Sequence, residues 1–112
     1  MTLRERRRQQ FLAMKRKPLS EHDFCALMVC KDVRPAVASF LWNAFLPYYF
    51  RPLTPYPDDR VYGDMKIDPD DVSDIAVRYE KDFGVELAGN PFECRADPTL
   101  AELGIALQRA SR

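Results

Sequence analysis

The sequence predicts an all-α fold, a small helical bundle over residues 19–112 led by a basic N-terminal helix or tail over residues 1–18. Three observations predict it. Apolar residues recur at helical spacing in four separate stretches, helix-starting and helix-stopping residues bracket those stretches, and no alternating apolar run competes. Val85 to Leu87 is too short to build a sheet on.

The composition sets the outer bounds. A chain of 112 residues is about one domain long. Its 46% hydrophobic residues, with seven Phe, five Tyr and one Trp, exceed what a disordered chain carries, so it is expected to fold. The longest apolar run, Val37 to Phe50, is broken by Asn43 and Pro47. It falls short of the roughly 20 residues that a membrane helix needs. No apolar signal core follows the basic start, so a cytoplasmic protein is expected. Cys25, Cys30 and Cys94 are three in number and form no CxxC pair, which reads as reduced thiols rather than a disulfide framework.

Taken in order, Thr2 is a candidate cap for a helix reaching Met14 or Lys17, with Leu3, Arg7, Gln10, Phe11 and Met14 along one side. Few apolar residues support it, so fraying is expected there in the absence of a binding partner. Ser20 followed by Asp23 predicts a capped short helix from Glu21 to about Val29. A second helix is expected from Val33, with Asp32 as its cap and Pro35 tolerated in the first turn. Val37, Phe40, Leu41, Ala44 and Phe45 give it an apolar side. Pro47 ends or kinks this helix, and Pro52, Pro55 and Pro57 predict an extended, ordered loop to about Tyr62, pinned by Tyr48, Tyr49, Phe50 and Tyr56. From Pro69 to Phe83 the helical period returns through Val72, Ile75, Ala76, Tyr79 and Phe83, and Gly84 is a fitting stop. Asn90 and Pro91 mark a turn, and Asp97 or Thr99 is expected to cap a last helix to about Ala110.

A formal net charge of zero hides a strong asymmetry. Residues 1–17 hold Arg4, Arg6, Arg7, Arg8, Lys15, Arg16 and Lys17 against Glu5 alone, a net +6. Residues 58–86 hold ten acids against four bases, a net −6 that supplies the whole compensation. The basic run suits nucleic acid or an anionic membrane, because arginines neutralise phosphates, and it also suits a fold-back onto the acidic helix that begins at Pro69.

Asp64-Met65-Lys66-Ile67-Asp68-Pro69-Asp70-Asp71, followed by the stretch from Tyr79 to Leu87, resembles the acyl carrier protein family. In that family an Asp-Leu-Gly-x-Asp-Ser-Leu-Asp signature opens an acidic helix, and a Leu-Glu-x-x-Phe-x-Ile-x-Ile pattern continues it. The likeness spans about residues 33–110, is specific over residues 64–87, and extends to bacterial carrier-like domains of about this length. The resemblance implies an acyl carrier-like helical bundle. It also implies a departure, because Pro69 stands where the family attaches phosphopantetheine to serine, and proline has no hydroxyl. The next family residue, leucine, is Asp70 here, and Ser73 lies a full turn inside the helix on a different local sequence. No cofactor is therefore expected.

By the same resemblance, Asp68, Asp71, Asp74, Val77 and Glu80 are the partner-binding positions, presenting acids and one apolar side chain to a basic groove on a partner protein. Acids near a helix N-terminus are favoured by its dipole, and a single-sign patch speeds encounter with an opposite charge. Lys81 stands where the family has an acid and weakens the field at the far end.

Catalytic and metal-ligating residues are not expected. The chain has one histidine, no nucleophile elbow, and no phosphate-cradling loop among four glycines. His22, Cys25, Cys30 and Cys94 lack the paired spacing of a zinc site. The expected function is a non-catalytic carrier-like docking or regulatory module. The alternative is nucleic-acid or anionic-membrane binding through residues 1–17.

Overall fold

The computed structural model describes residues 3, 4, 7, 16–88 and 97–111. Four helices of at least ten residues stand among them: α1 (Glu21–Cys30), α2 (Pro35–Phe45), α3 (Pro69–Phe83) and α4 (Leu100–Ala110). Leu3, Arg4 and Arg7 are also helical, and the described residues contain no strand, only isolated bridges between Arg60 and Thr99 and between Leu87 and Ser111. The fold is all-α over these residues. None of these helices is long and apolar enough to cross a membrane.

The helix ends follow local chemistry. The Ser20 hydroxyl accepts the Asp23 amide at 3.1 Å and opens α1 as the sequence predicts. Asp68 accepts the Asp70 amide at 2.8 Å, and Gly84, at φ 61°, closes α3 while the Val85 amide reaches back to the Glu80 carbonyl. Thr99 and Glu102 form a reciprocal capping box at the start of α4, with both bonds at 3.1 Å.

Asp32 does not cap α2, and Val33 is not its first residue. Instead Asp32 sits at φ 68° and Val33 follows, with the Val33 amide bonded to the Met28 carbonyl and the Asp32 amide to that of Val29. That pair of bonds is the Schellman closure of α1. Aspartate tolerates the left-handed region better than most residues, so the same residue type suits a helix start and a helix stop. α2 then begins at Pro35, with Arg34 in the cap position and no side-chain cap bond.

The loop between α2 and α3 is folded rather than extended. It contains a 3-10 turn at Leu46–Tyr48 and further turns at 51–52, 57–58 and 61–64. Carboxylates cause this, because Asp59 takes the Tyr56 amide and Asp64 the Arg60 amide, each at 3.0 Å, and both bonds bend the backbone. The N-terminal helix does not reach Lys17, since residues 16–20 are non-helical. Its candidate cap Thr2 and apolar positions Phe11 and Met14 lie outside the described residues, as does the turn at Asn90 and Pro91.

Every helix contributes to one core. Phe24 and Met28 of α1, Leu41 and Phe45 of α2, Val72 and Tyr79 of α3, and Leu103 and Leu107 of α4 are all nearly or fully buried. Aromatic rings bind the layers together. Phe24 packs on Trp42 with centroids 5.4 Å apart, and Phe40 meets the ring of Tyr79 edge-on at 5.3 Å. Gly104 lets α4 approach α2, since a Cβ there would lie 3.0 Å from Val33 and 3.2 Å from Leu41. Both neighbours are buried and cannot give way. Gly104→Leu is therefore expected to lower unfolding stability by about 1–3 kcal/mol despite leucine's better helix propensity, read from urea denaturation midpoints.

Candidate functional site

The acidic outer face of α3 is the surface the sequence singles out, and the structure divides its residues by what they already do. Asp68 is exposed but serves its own helix as the N-cap. Glu80 is half-buried and accepts the Leu87 amide at 3.0 Å, holding the segment after α3 against the helix. Asp74 is exposed and Asp71 is half-buried, and Val77, 62% exposed, stands on the same outer face. Asp70, which is not among the family-derived positions, is exposed in the first turn beside them. Pro69 is the first helical residue, where its missing amide hydrogen costs nothing.

Tyr48 belongs to this neighbourhood. Burial raises its pKa, Asp71 raises it further, Arg78 opposes and Asp74 adds to it, so the 3-10 turn lies within the field of the outer acids. Arg78 itself leans over the Phe40 ring at 5.6 Å.

A second polar site was invisible in the sequence. Asp59, only 5% exposed, is the one buried charged residue among those described. Arg16 donates to both of its carboxylate oxygens, at 2.7 and 2.9 Å, and also to the Thr54 carbonyl at 2.6 Å. The Tyr49 hydroxyl donates to Asp59 at 2.6 Å, and the Tyr56 amide supplies a further donor. The guanidinium lies 4.1 Å from the centroid of the Tyr56 ring, and the Tyr56 hydroxyl donates to the Lys17 carbonyl. The Leu19 amide donates to the Thr54 hydroxyl at 2.8 Å. Residues 16–19 are thereby strapped across the loop of residues 49–59.

Burial lowers the Arg16 pKa, but bonding and attraction to Asp59 outweigh that and hold it above its ordinary value. Burial pushes the Tyr49 phenol well above its usual range, the Asp59 charge and hydrogen bond push it further, and Arg16 opposes both. The arrangement is a structural clamp, since the carboxylate is saturated with donors and faces no open site.

Of the basic segment, Arg4, Arg7 and Lys17 are exposed, whereas Arg6, Arg8 and Lys15 lie outside the described residues. Arg16 is withdrawn from the set of free cations. It also meets an acid of the α2–α3 loop, not of the α3 helix. Cys25 is half-buried with its thiol pKa raised by burial and by Glu21, and Cys30 is exposed. Cys94 lies outside the described residues, and among those described no three His, Cys, Asp or Glu side chains are grouped to hold a metal.

The chain matches no family model, no curated protein and no solved structure among those compared.

Two outcomes check the clamp. Arg16→Leu is expected to cost about 2–3 kcal/mol, below the full range for a buried pair because Arg16 keeps some solvent contact, while Lys17→Leu stays within about 0.5 kcal/mol. Tyr49→Phe is expected to cost about 1–2 kcal/mol near neutral pH, since Asp59 loses a donor. A raised folded pKa means that this contribution is complete below the unfolded value near 10 and is lost as pH climbs above it. The stability difference between wild type and Tyr49→Phe therefore shrinks in denaturation series run above about pH 10.

Proposed function

We propose that this chain is an acyl carrier-like helical domain without covalent carrier chemistry, a non-catalytic docking or regulatory module for a protein with a basic surface. The observation that carries the reading is the outer face of α3. There Asp70, Asp71 and Asp74 lie within two turns of the positive end of the helix dipole, with exposed Val77 on the same face. The dipole favours negative charge at this end of the helix, and Asp70 and Asp74 are exposed there. Acids steer a basic partner, and exposed Val77 offers a point of dry contact beside them.

The docking set differs from the family-derived one in its details. Asp68 and Glu80 are spent on backbone amides, so Asp70, Asp71, Asp74 and Val77 carry the contact. Pro69 at the helix start offers no nucleophile for a phosphopantetheinyl group. Binding of nucleic acid or anionic membrane has less support, because Arg16 is committed to Asp59 and leaves the tail with one fewer free cation.

The immobilised full-length chain is expected to retain a host protein in a salt-sensitive manner. Replacing Asp70, Asp71 and Asp74 together by asparagine slows that association roughly tenfold. Deleting residues 1–15 leaves it unchanged. Tight, salt-steep binding of DNA, RNA or anionic vesicles that disappears with the same deletion would overturn the reading. After co-expression with a phosphopantetheinyl transferase, intact-mass measurement is expected to show the wild type unmodified. A mass gain on the wild type rejects the loss of carrier chemistry.

A further inference from the structure

At the opposite end of α3 from Pro69, roughly 20 Å along the helix, lies a groove of about 440 Å3. Val37 of α2, Tyr79 and Phe83 of α3, and Val85 make its lining mainly apolar, and its volume lies in the range of small-ligand sites. Arg34 lines it as well. The Arg34 backbone amide is bonded to the Gln108 side chain at 2.6 Å, but its guanidinium has no acceptor among the described residues.

The backbone beside Arg34 is also short of acceptors. Arg34 occupies the cap position of α2 without a side-chain cap, and the first-turn amides of Ala36 and Val37, two residues that line the groove, have no acceptor among the described residues. Deeper in the groove the hydroxyls are already ordered. Ser111 gives its proton to the Leu107 carbonyl at 2.6 Å, so the Tyr79 hydroxyl, 3.1 Å away, donates to Ser111. That leaves the apolar wall with its polar atoms satisfied, and the donors without a protein acceptor gather around Arg34, at the solvent-exposed rim of the groove.

We propose that the groove binds a small amphipathic carboxylate without a covalent link, its head group on Arg34 and the α2 amides and its hydrocarbon body along Val37, Phe83 and Val85. Charge complementarity selects the head group. A guanidinium presents a planar fork that matches a carboxylate, and two neighbouring helix amides reinforce the same sign. The apolar wall selects the body. The site needs no attachment serine, and it stands independently of the docking face on α3.

The test titrates the full-length protein with sodium decanoate, and separately with decyltrimethylammonium, following backbone amides by NMR and affinity by calorimetry. Decanoate is expected to give saturable shifts centred on Ala36, Val37 and Val85, and the cation none. Arg34→Gln keeps the backbone bond to Gln108 and should weaken decanoate at least about tenfold. Val85→Glu, whose folding is checked by thermal melting, should abolish binding by placing a charge against the hydrocarbon body of the ligand. The proposal falls if decyltrimethylammonium binds as well as decanoate, if Arg34→Gln binds decanoate like the wild type, or if no saturable shift appears at these amides.

Discussion

The buried carboxylate of Asp59 holds together three parts of the chain that are distant in sequence. Its side chain gathers Arg16 and Tyr49, and its backbone carbonyl accepts the Leu100 amide at the start of α4 at 3.0 Å. The neighbouring Pro57 carbonyl accepts the Ala101 amide, also at 3.0 Å. Burying an ionised group is costly unless it is paired and fully bonded, and four donors to its two oxygens meet that condition. A proline-containing loop that would otherwise lack regular backbone pairing thus acquires a fixed shape. The strap leaves one residual cost, since the Arg16 Nε is buried with no acceptor among the described residues.

This anchoring decides what the two ends of α3 can present. With the α2–α3 loop fixed, α3 begins at Pro69 with its first-turn acids facing outward, and its far end lies against α2 through the rings of Phe40, Tyr79 and Phe83. One end is charged and exposed, whereas the other borders an apolar groove. Asp97 tightens the same region from the opposite side by accepting the Tyr62 and Gly63 amides at 3.1 and 3.0 Å. A Cβ on Gly63 would come within 2.5 Å of the Asp97 carboxylate, which would have to shift away from the amides it accepts.

Local signals were read well where a few neighbouring residues settle the outcome. Ser20, Asp68, Gly84 and Thr99 each act within four residues of themselves, and the bounds of α3 followed from Asp68, Pro69 and Gly84 alone. Asp32 was misread for an equally local reason, since aspartate suits both a helix cap and a left-handed closure. Which of the two it forms is decided by the burial of Val33 against α4, and no pattern within the turn reports that.

The sequence by itself determined the helical class, the apolar faces, most of the helix ends and the segregation of opposite charges. Those properties depend on a period of 3.6 residues and on caps whose partners lie within one turn. Only the tertiary structure decided which charges remain free. Arg16 and Asp59, 43 positions apart, counted as tail and acidic segment until folding paired them. Glu80 went to the Leu87 amide, while Asp70 and Asp74 stayed at the surface. The groove beside Arg34 has the same origin, because desolvation and cavity shape arise from contacts between elements and leave no trace in the spacing of residues along one of them.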